Sequence, residues 1–175
     1  MKPRYVVDTN VLIAASGANV NSPVSRYATP VDQELRSKVW KWLVDFESSD
    51  SRLVLDGQVE IYKEYTNKLG FNDYGLKMVE HKWDTCSVDQ VDILFDDDGY
   101  AYLDENLAAL IHDTSDRKFV AAALAAIDGC GECLIANSGD TDWYDWEEVL
   151  RTVGVEVEQI IPEWSRQKWL EKQSN

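Results

Sequence analysis

The side chains of this sequence that could do chemistry are carboxylates placed directly after apolar, strand-like runs. Asp8 follows the run Arg4–Val7, and Asp140 and Asp142 follow the run Cys133–Ala136 by a few residues. In an open parallel sheet, the ligand crevice lies beyond the carboxyl ends of the strands. These acids therefore share one crevice if the two strands are neighbours in the sheet.

Two further acids belong to predicted helices. Glu64 lies in the helix predicted over Val59–Leu69, and Asp116 lies at the start of an Ala-rich helix that contains Phe119. Carboxylates a few ångströms apart cannot all stay ionised, so such a cluster implies bound cations or raised pKa values. Oxygen ligands favour Mg²⁺ or Mn²⁺ over zinc. Two such ions can activate a water and stabilise both the attacking and the leaving oxygen of a phosphodiester.

Each of these acids also has a purely structural interpretation. Asp8, Asp116 and Asp142 could cap the helices that begin at or near them. Glu64 could form a solvated helix face with Glu60, four residues earlier. For any single acid, the structural role is more common than a role in a metal site. Together, the structural roles do not explain why so many acids gather at one end of a sheet.

The elements that must hold these acids alternate between strands and helices. Alternation of this kind predicts a parallel α/β sheet with helices on both faces, a three-layer α/β/α fold, in a single domain over residues 1–175. The segment at about 71–108 is acidic and broken by glycines, and we expect it to be irregular. The strands are predicted at Arg4–Val7, Arg52–Leu55, Cys133–Ala136 and within Val153–Ile161, and the main helices at Val11–Ala15, Gln33–Phe46, Val59–Leu69, Leu103–Ile111 and around Phe119–Ala126.

The net charge of −15 is concentrated in one part of the chain. Residues 80–116 hold eleven acids against a single base, Lys82. This field repels a polyanion unless cations intervene. Few bases are predicted to contact phosphates: Arg26, Arg36, Lys38 and Lys41. That these bases are ordinary solvated surface is an equally good interpretation.

Composition excludes several classes of protein. The chain has no apolar run approaching the roughly 18 residues of a membrane span, and its start is not that of a cleavable signal peptide. Three cysteines do not make a disulfide framework, which favours the cytoplasm. We interpret the C-x-x-C of Cys130 and Cys133 as a turn and a strand, rather than as a redox or zinc site. Trp143 could stack a nucleobase, although packing is the favoured role.

Four stretches of the sequence resemble the PIN domain nucleases. They are VVDTNVLI at residues 6–13, IYKEY at 61–65, DTSDRKF at 113–119 and NSGDTDW at 137–143. Their order and contexts match the family over nearly the whole chain, and the resemblance implies a PIN-like fold and metal-dependent hydrolysis of RNA. Asp8, Glu64, Asp116 and Asp140 match the catalytic, metal-holding acids of the family, with Asp142 as an adjoining ligand, and Thr9, Asn10 and Ser138 match its supporting polar residues.

We therefore expect a Mg²⁺- or Mn²⁺-dependent endoribonuclease acting on single-stranded RNA. The resemblance adds an antitoxin protein, or a second copy of the chain, as a partner to test. A non-catalytic RNA- or protein-binding module that keeps the fold is the alternative. The sequence leaves open whether Glu60 or Glu64 is the helix ligand, and whether Asp140 or Asp142 is the last one.

Overall fold

Five parallel strands form one central sheet in the order β3-β2-β1-β4-β5. The structure is a computed structural model that describes residues 1–174. The strand β1, which precedes the other four in the sequence, lies in the middle, between β2 and β4. The strands are β1 (Arg4–Val7), β2 (Arg52–Asp56), β3 (Val88–Val91), β4 (Leu134–Asn137) and β5 (Glu156–Gln159).

Helices cover both faces of this sheet, which confirms the predicted α/β/α fold. The helix α6 packs along the strands β1 to β4, while α1, α2 and α4 contact one another. The longest helix has 16 residues, and within residues 1–174 none is long and apolar enough to cross a bilayer. The helices are α1 (Thr9–Ser16), α2 (Gln33–Ser48), α3 (Glu60–Lys68), α4 (Tyr74–Asp84), α5 (Glu105–Leu110), α6 (Arg117–Cys130), α7 (Asp142–Thr152) and α8 (Pro162–Gln173), with a 3₁₀ turn at Pro23–Arg26.

The central strands are apolar because helices cover them from both sides. Every residue of β4 is buried, as are the last three of β1. Small residues bring the helices close. Ala122, Ala123 and Ala126 of α6 are fully buried, and Gly75 of α4 lies so near α1 that a Cβ there would meet Leu12 at 2.7 Å.

The prediction that the segment at about 71–108 is irregular is wrong over much of its length. The segment contains the helix α4, the edge strand β3 and the start of α5, and its longest stretch without a named strand or helix is the one between β3 and α5. The strand β3 was missed because its sequence is polar. Its residue Asp89 is held by Arg4 and Arg52, each with its Nε 2.7 Å from a carboxylate oxygen, so β3 depends on partners distant in sequence.

Candidate active site

The predicted acids meet at the carboxyl edge of the sheet. Asp8 follows the central strand β1, Asp140 follows its neighbour β4, Asp116 precedes α6, and Glu64 lies in α3. The negative charges of Asp8, Asp140 and Glu64 all contribute to raising the pKa of Asp116. The four carboxylates therefore lie close enough to repel one another.

Asp8 is buried at the centre of this group, with 2% of its surface exposed. Its Oδ1 accepts from the backbone N–H of Asn10 at 2.7 Å, and its Oδ2 accepts from Nε1 of Trp143 at 3.1 Å. Burial first, and then the charge of Asp140, raise the pKa of Asp8 to about 7. Asp8 thus caps α1 through Oδ1, as its structural interpretation predicts, while Trp143 holds its Oδ2.

Asp116 stands at the start of α6, but its side chain makes no capping hydrogen bond. Burial raises its pKa to about 9, and the charges of Asp8 and Asp113 act in the same direction. Burial also raises the pKa of Asp140. These shifts indicate a site that favours protons, or other cations, on its carboxylates.

The structure separates Glu64 from Glu60. Glu64 faces the carboxylate group, where the hydroxyl of Thr9 donates to its Oε1 and Nζ of Lys118 lies 2.6 Å from its Oε2. Glu60 instead pairs with Lys63 on the outer surface, where its side chain is 40% exposed. Of the two glutamates, only Glu64 lies in the group.

The loop after β4 is organised by a residue that sequence reasoning did not single out. Oδ1 of Asn137 accepts the backbone N–H of Asp140 at 3.1 Å, and its Nδ2 donates to the carbonyl of the same residue at 2.7 Å. Ser138 is fully buried, and its Oγ has no hydrogen-bond partner. The loop thus fixes the backbone of Asp140 and leaves the hydroxyl of Ser138 without a partner.

Asp142, the first residue of α7, lies at the rim of the group rather than inside it. Its Oδ1 pairs with Nζ of Lys172, and its Oδ2 lies 3.9 Å from Nε2 of His112. Its charge still raises the pKa of Asp140. Asp140 is therefore the inner acid of this pair and Asp142 the outer one.

Within residues 1–174, no group of three or more His, Cys, Asp or Glu side chains is arranged so that it could coordinate a metal ion. The donors present are nevertheless oxygens, which suit a hard divalent cation. The side-chain oxygens of Glu64 and Asp142 are paired with Lys118 and Lys172 instead. The donor chemistry fits Mg²⁺ or Mn²⁺, and in the metal-free chain one oxygen each of Glu64 and Asp142 is taken by a lysine.

The predicted phosphate-binding bases divide into two groups. Arg26, Lys38 and Lys41 are exposed. Arg36 is buried, and its guanidinium donates to four backbone carbonyls, those of Gly17, Ser25, Ala28 and Pro30. The predicted RNA contact of Arg36 is therefore wrong, because this side chain holds the loop before α2.

Trp143 and the cysteines have structural roles. Trp143 is fully buried, so it cannot stack an incoming base, and its indole serves Asp8. The cysteines in the described chain are free, with Cys133 buried beside β4 and Cys130 exposed at the end of α6. The predicted turn and strand are shifted: Cys130 ends α6, and Cys133 directly precedes β4.

Comparisons with protein-family models, with curated proteins and with solved structures find no match to this chain. The geometry of the site therefore carries the functional argument.

Proposed function

We propose that this protein is a PIN-type, Mg²⁺- or Mn²⁺-dependent endoribonuclease that hydrolyses phosphodiester bonds of single-stranded RNA. Asp8, Glu64, Asp116 and Asp140 would hold the metal, and Asp142 would assist from the rim. The observation that carries the proposal is the group of mutually repelling carboxylates at the carboxyl edge of the sheet, with raised pKa values at Asp8, Asp116 and Asp140.

Such a group has no reason to exist for stability alone. Like charges gathered in a partly buried place destabilise the folded chain unless a cation neutralises them. Strongly perturbed pKa values of this kind concentrate at functional sites. Ser138, two residues before Asp140, has a buried hydroxyl without a hydrogen-bond partner. A divalent cation would neutralise the carboxylates.

When bound, the metal would lower the pKa of a coordinated water and stabilise negative charge on the phosphate. The residues of this chain would orient the ligands. Thr9 fixes one oxygen of Glu64, while Asn10 and Trp143 fix the two oxygens of Asp8. Asn137 holds the backbone on both sides of Asp140. Ligands held in this way need little rearrangement, which is the property a catalytic metal site requires.

RNA as the substrate is proposed from the resemblance to PIN nucleases. An acidic protein can approach a polyanion only through cations. The metal would supply them at the site, and the exposed Arg26, Lys38 and Lys41 would supply them elsewhere on the surface. An antitoxin or a second copy of the chain, and a cytoplasmic location, remain predictions.

One observation favours a second candidate, a binding module that keeps the fold but does not cleave. Lys118 and Lys172 already neutralise Glu64 and Asp142, so the chain partly satisfies its own acids without a metal. In that case RNA or a protein would bind with no dependence on divalent cations.

Cleavage of single-stranded RNA by purified protein, in Mn²⁺ and in chelator, separates the two candidates. We expect cleavage only in Mn²⁺, and a loss of about 100-fold or more in Asp8→Asn, because a central ligand is removed. The matched control is Asp128→Asn, which removes the same charge at an exposed position of α6 and should cleave like the wild type.

Equal rates for the wild type and Asp8→Asn would refute the enzyme proposal, because a contaminating nuclease would then explain the cleavage. Tight RNA binding with no cleavage and no response to Mn²⁺ would establish the binding module.

A further inference from the structure

A lysine lies among the carboxylates of the candidate site. Nζ of Lys118 is 2.6 Å from Oε2 of Glu64, and the two side chains are only 13% and 24% exposed. Water screens a pair this protected much less than it screens an exposed one. The ammonium group therefore occupies a ligand oxygen that a metal would need.

Two other contacts hold Lys118 independently of Glu64. Nζ donates to the backbone carbonyl of Ser115 at 2.7 Å and lies 5.1 Å from the centre of the Phe119 ring. Both contacts belong to the chain at the start of α6, next to Lys118 itself. The lysine can therefore release Glu64 and still remain anchored by favourable contacts.

Glu64 has a second anchor as well. Its other oxygen accepts from the hydroxyl of Thr9, the first residue of α1. Thr9 thus holds one oxygen of the Glu64 carboxylate, and residues at the start of α6 hold the ammonium group of Lys118. What connects the carboxylate and the ammonium is one short ion pair, and a doubly charged cation placed among the acids would compete directly for it.

We propose that Lys118 is a built-in competitor for the metal: it holds Glu64 in the metal-free protein and releases it when a divalent cation binds. This inference rests on the proposed metal site and deepens it by assigning what regulates its affinity. The lysine protects the metal-free fold from its own acids and sets the threshold cation concentration at which the site loads. Lys118 is thus a positioning residue, not a metal ligand.

The first test compares Lys118→Met with Lys63→Met by calorimetric titration with Mn²⁺. Both variants remove one positive charge and one Lys–Glu pair involving α3, but the pair of Lys63 with Glu60 is exposed and lies outside the group. We expect Lys118→Met to bind Mn²⁺ about three- to tenfold more tightly than the wild type, because the competing ion pair is absent. Lys63→Met should bind like the wild type.

The second readout uses the wild-type protein, so it does not depend on how a variant folds. Acylation with a lysine-specific reagent, located by mass spectrometry, measures how available each amine is. Lys118 should react slowly in chelator and at least about threefold faster in saturating Mg²⁺, because the metal displaces it from Glu64. Lys63 should show no change.

The outcomes are separable. If Mn²⁺ does not bind the wild type at all, the proposed metal site falls, and the role of Lys118 falls with it. If Mn²⁺ binds, but Lys118→Met shows unchanged affinity or Lys118 keeps its reactivity on loading, the competitor role alone is overturned.

Discussion

Replacing Asp116 with Asn should raise the stability of the metal-free protein, which is the opposite of what a helix cap would give. Asn has nearly the same shape but carries no charge. The carboxylate of Asp116 makes no capping hydrogen bond that Asn would lose, and it repels Asp8, Asp140 and Glu64. Its removal therefore relieves repulsion without breaking a contact.

The size of the gain follows from the pKa. The value of Asp116 rises from 3.8 to about 9 in the folded chain, so the folded state holds a proton that the unfolded state has released across that range of pH. Stability is therefore lost as the pH rises from 3.8 towards 9. At pH 7 the full cost would be about 4 kcal/mol. Because the carboxylate is only partly buried, solvent screening reduces this to roughly 1–2 kcal/mol.

The assay is a melting curve for each protein in chelator and in Mn²⁺. We expect the melting temperature of Asp116→Asn in chelator to exceed that of the wild type by about 2–8 °C at pH 7. The gain should shrink towards pH 5 and grow towards pH 9. In Mn²⁺ the variant should lose most of the stabilisation that the wild type gains, since binding to the native state contributes RT ln(1 + [L]/Kd).

The control is Asp128→Asn, exposed on the same helix, whose melting temperature should change little in either condition. A structural role for Asp116 would reverse the signs. The variant would melt lower in chelator, having lost a charge–dipole interaction of about 0.3–1 kcal/mol, and would keep the full response to Mn²⁺. That result would remove Asp116 from the site.

Three further predictions concern the residues that support the fold and the site. Arg36→Lys should lower the free energy of unfolding by about 2–3 kcal/mol, because one ammonium group cannot replace a guanidinium that donates to four carbonyls. An unchanged midpoint of denaturant unfolding would contradict this. Gly75→Ala should cost about 1–3 kcal/mol, since its Cβ would lie 2.7 Å from the carbonyl oxygen of Leu12; a neutral result would mean that the helices can separate freely. Trp143→Phe keeps the buried ring but removes the donor to Asp8, so the pKa of that carboxyl, followed by NMR, should rise further above about 7; a fall would refute the hydrogen bond's role.

The central architecture could be predicted because its signal is local. Fully buried strands such as β1 and β4 must be apolar along their whole length, and the acids that follow them stand out by contrast. The edge strand β3 gives no such signal. Its Asp89 is compatible with a strand only because Arg4 and Arg52 approach it from neighbouring strands, and no pattern within β3 reveals those partners.

The site shows the same division. Position in the chain was enough to gather Asp8 and Asp140, because each follows a strand and parallel strands end at a common edge. The roles of Lys118 and Arg36 were not predictable, since both residues are bases at helix starts and the sequence does not say which turns inward. Asn137 could have been noticed, because an Asn that ends a buried strand commonly holds the turn that follows.

The central position of β1 also determines when the site can exist. Asp8 is synthesised well before its neighbouring strand β4, which carries the chain to Asp140 and is made only after β2, β3 and six helices. At about 5–20 residues per second, roughly 7–26 seconds separate the two residues on a ribosome. Through that interval the nascent chain holds an incomplete set of ligands. Until β4 has been made, the proposed metal site lacks Asp140, and a chain ended before β4 would never acquire it.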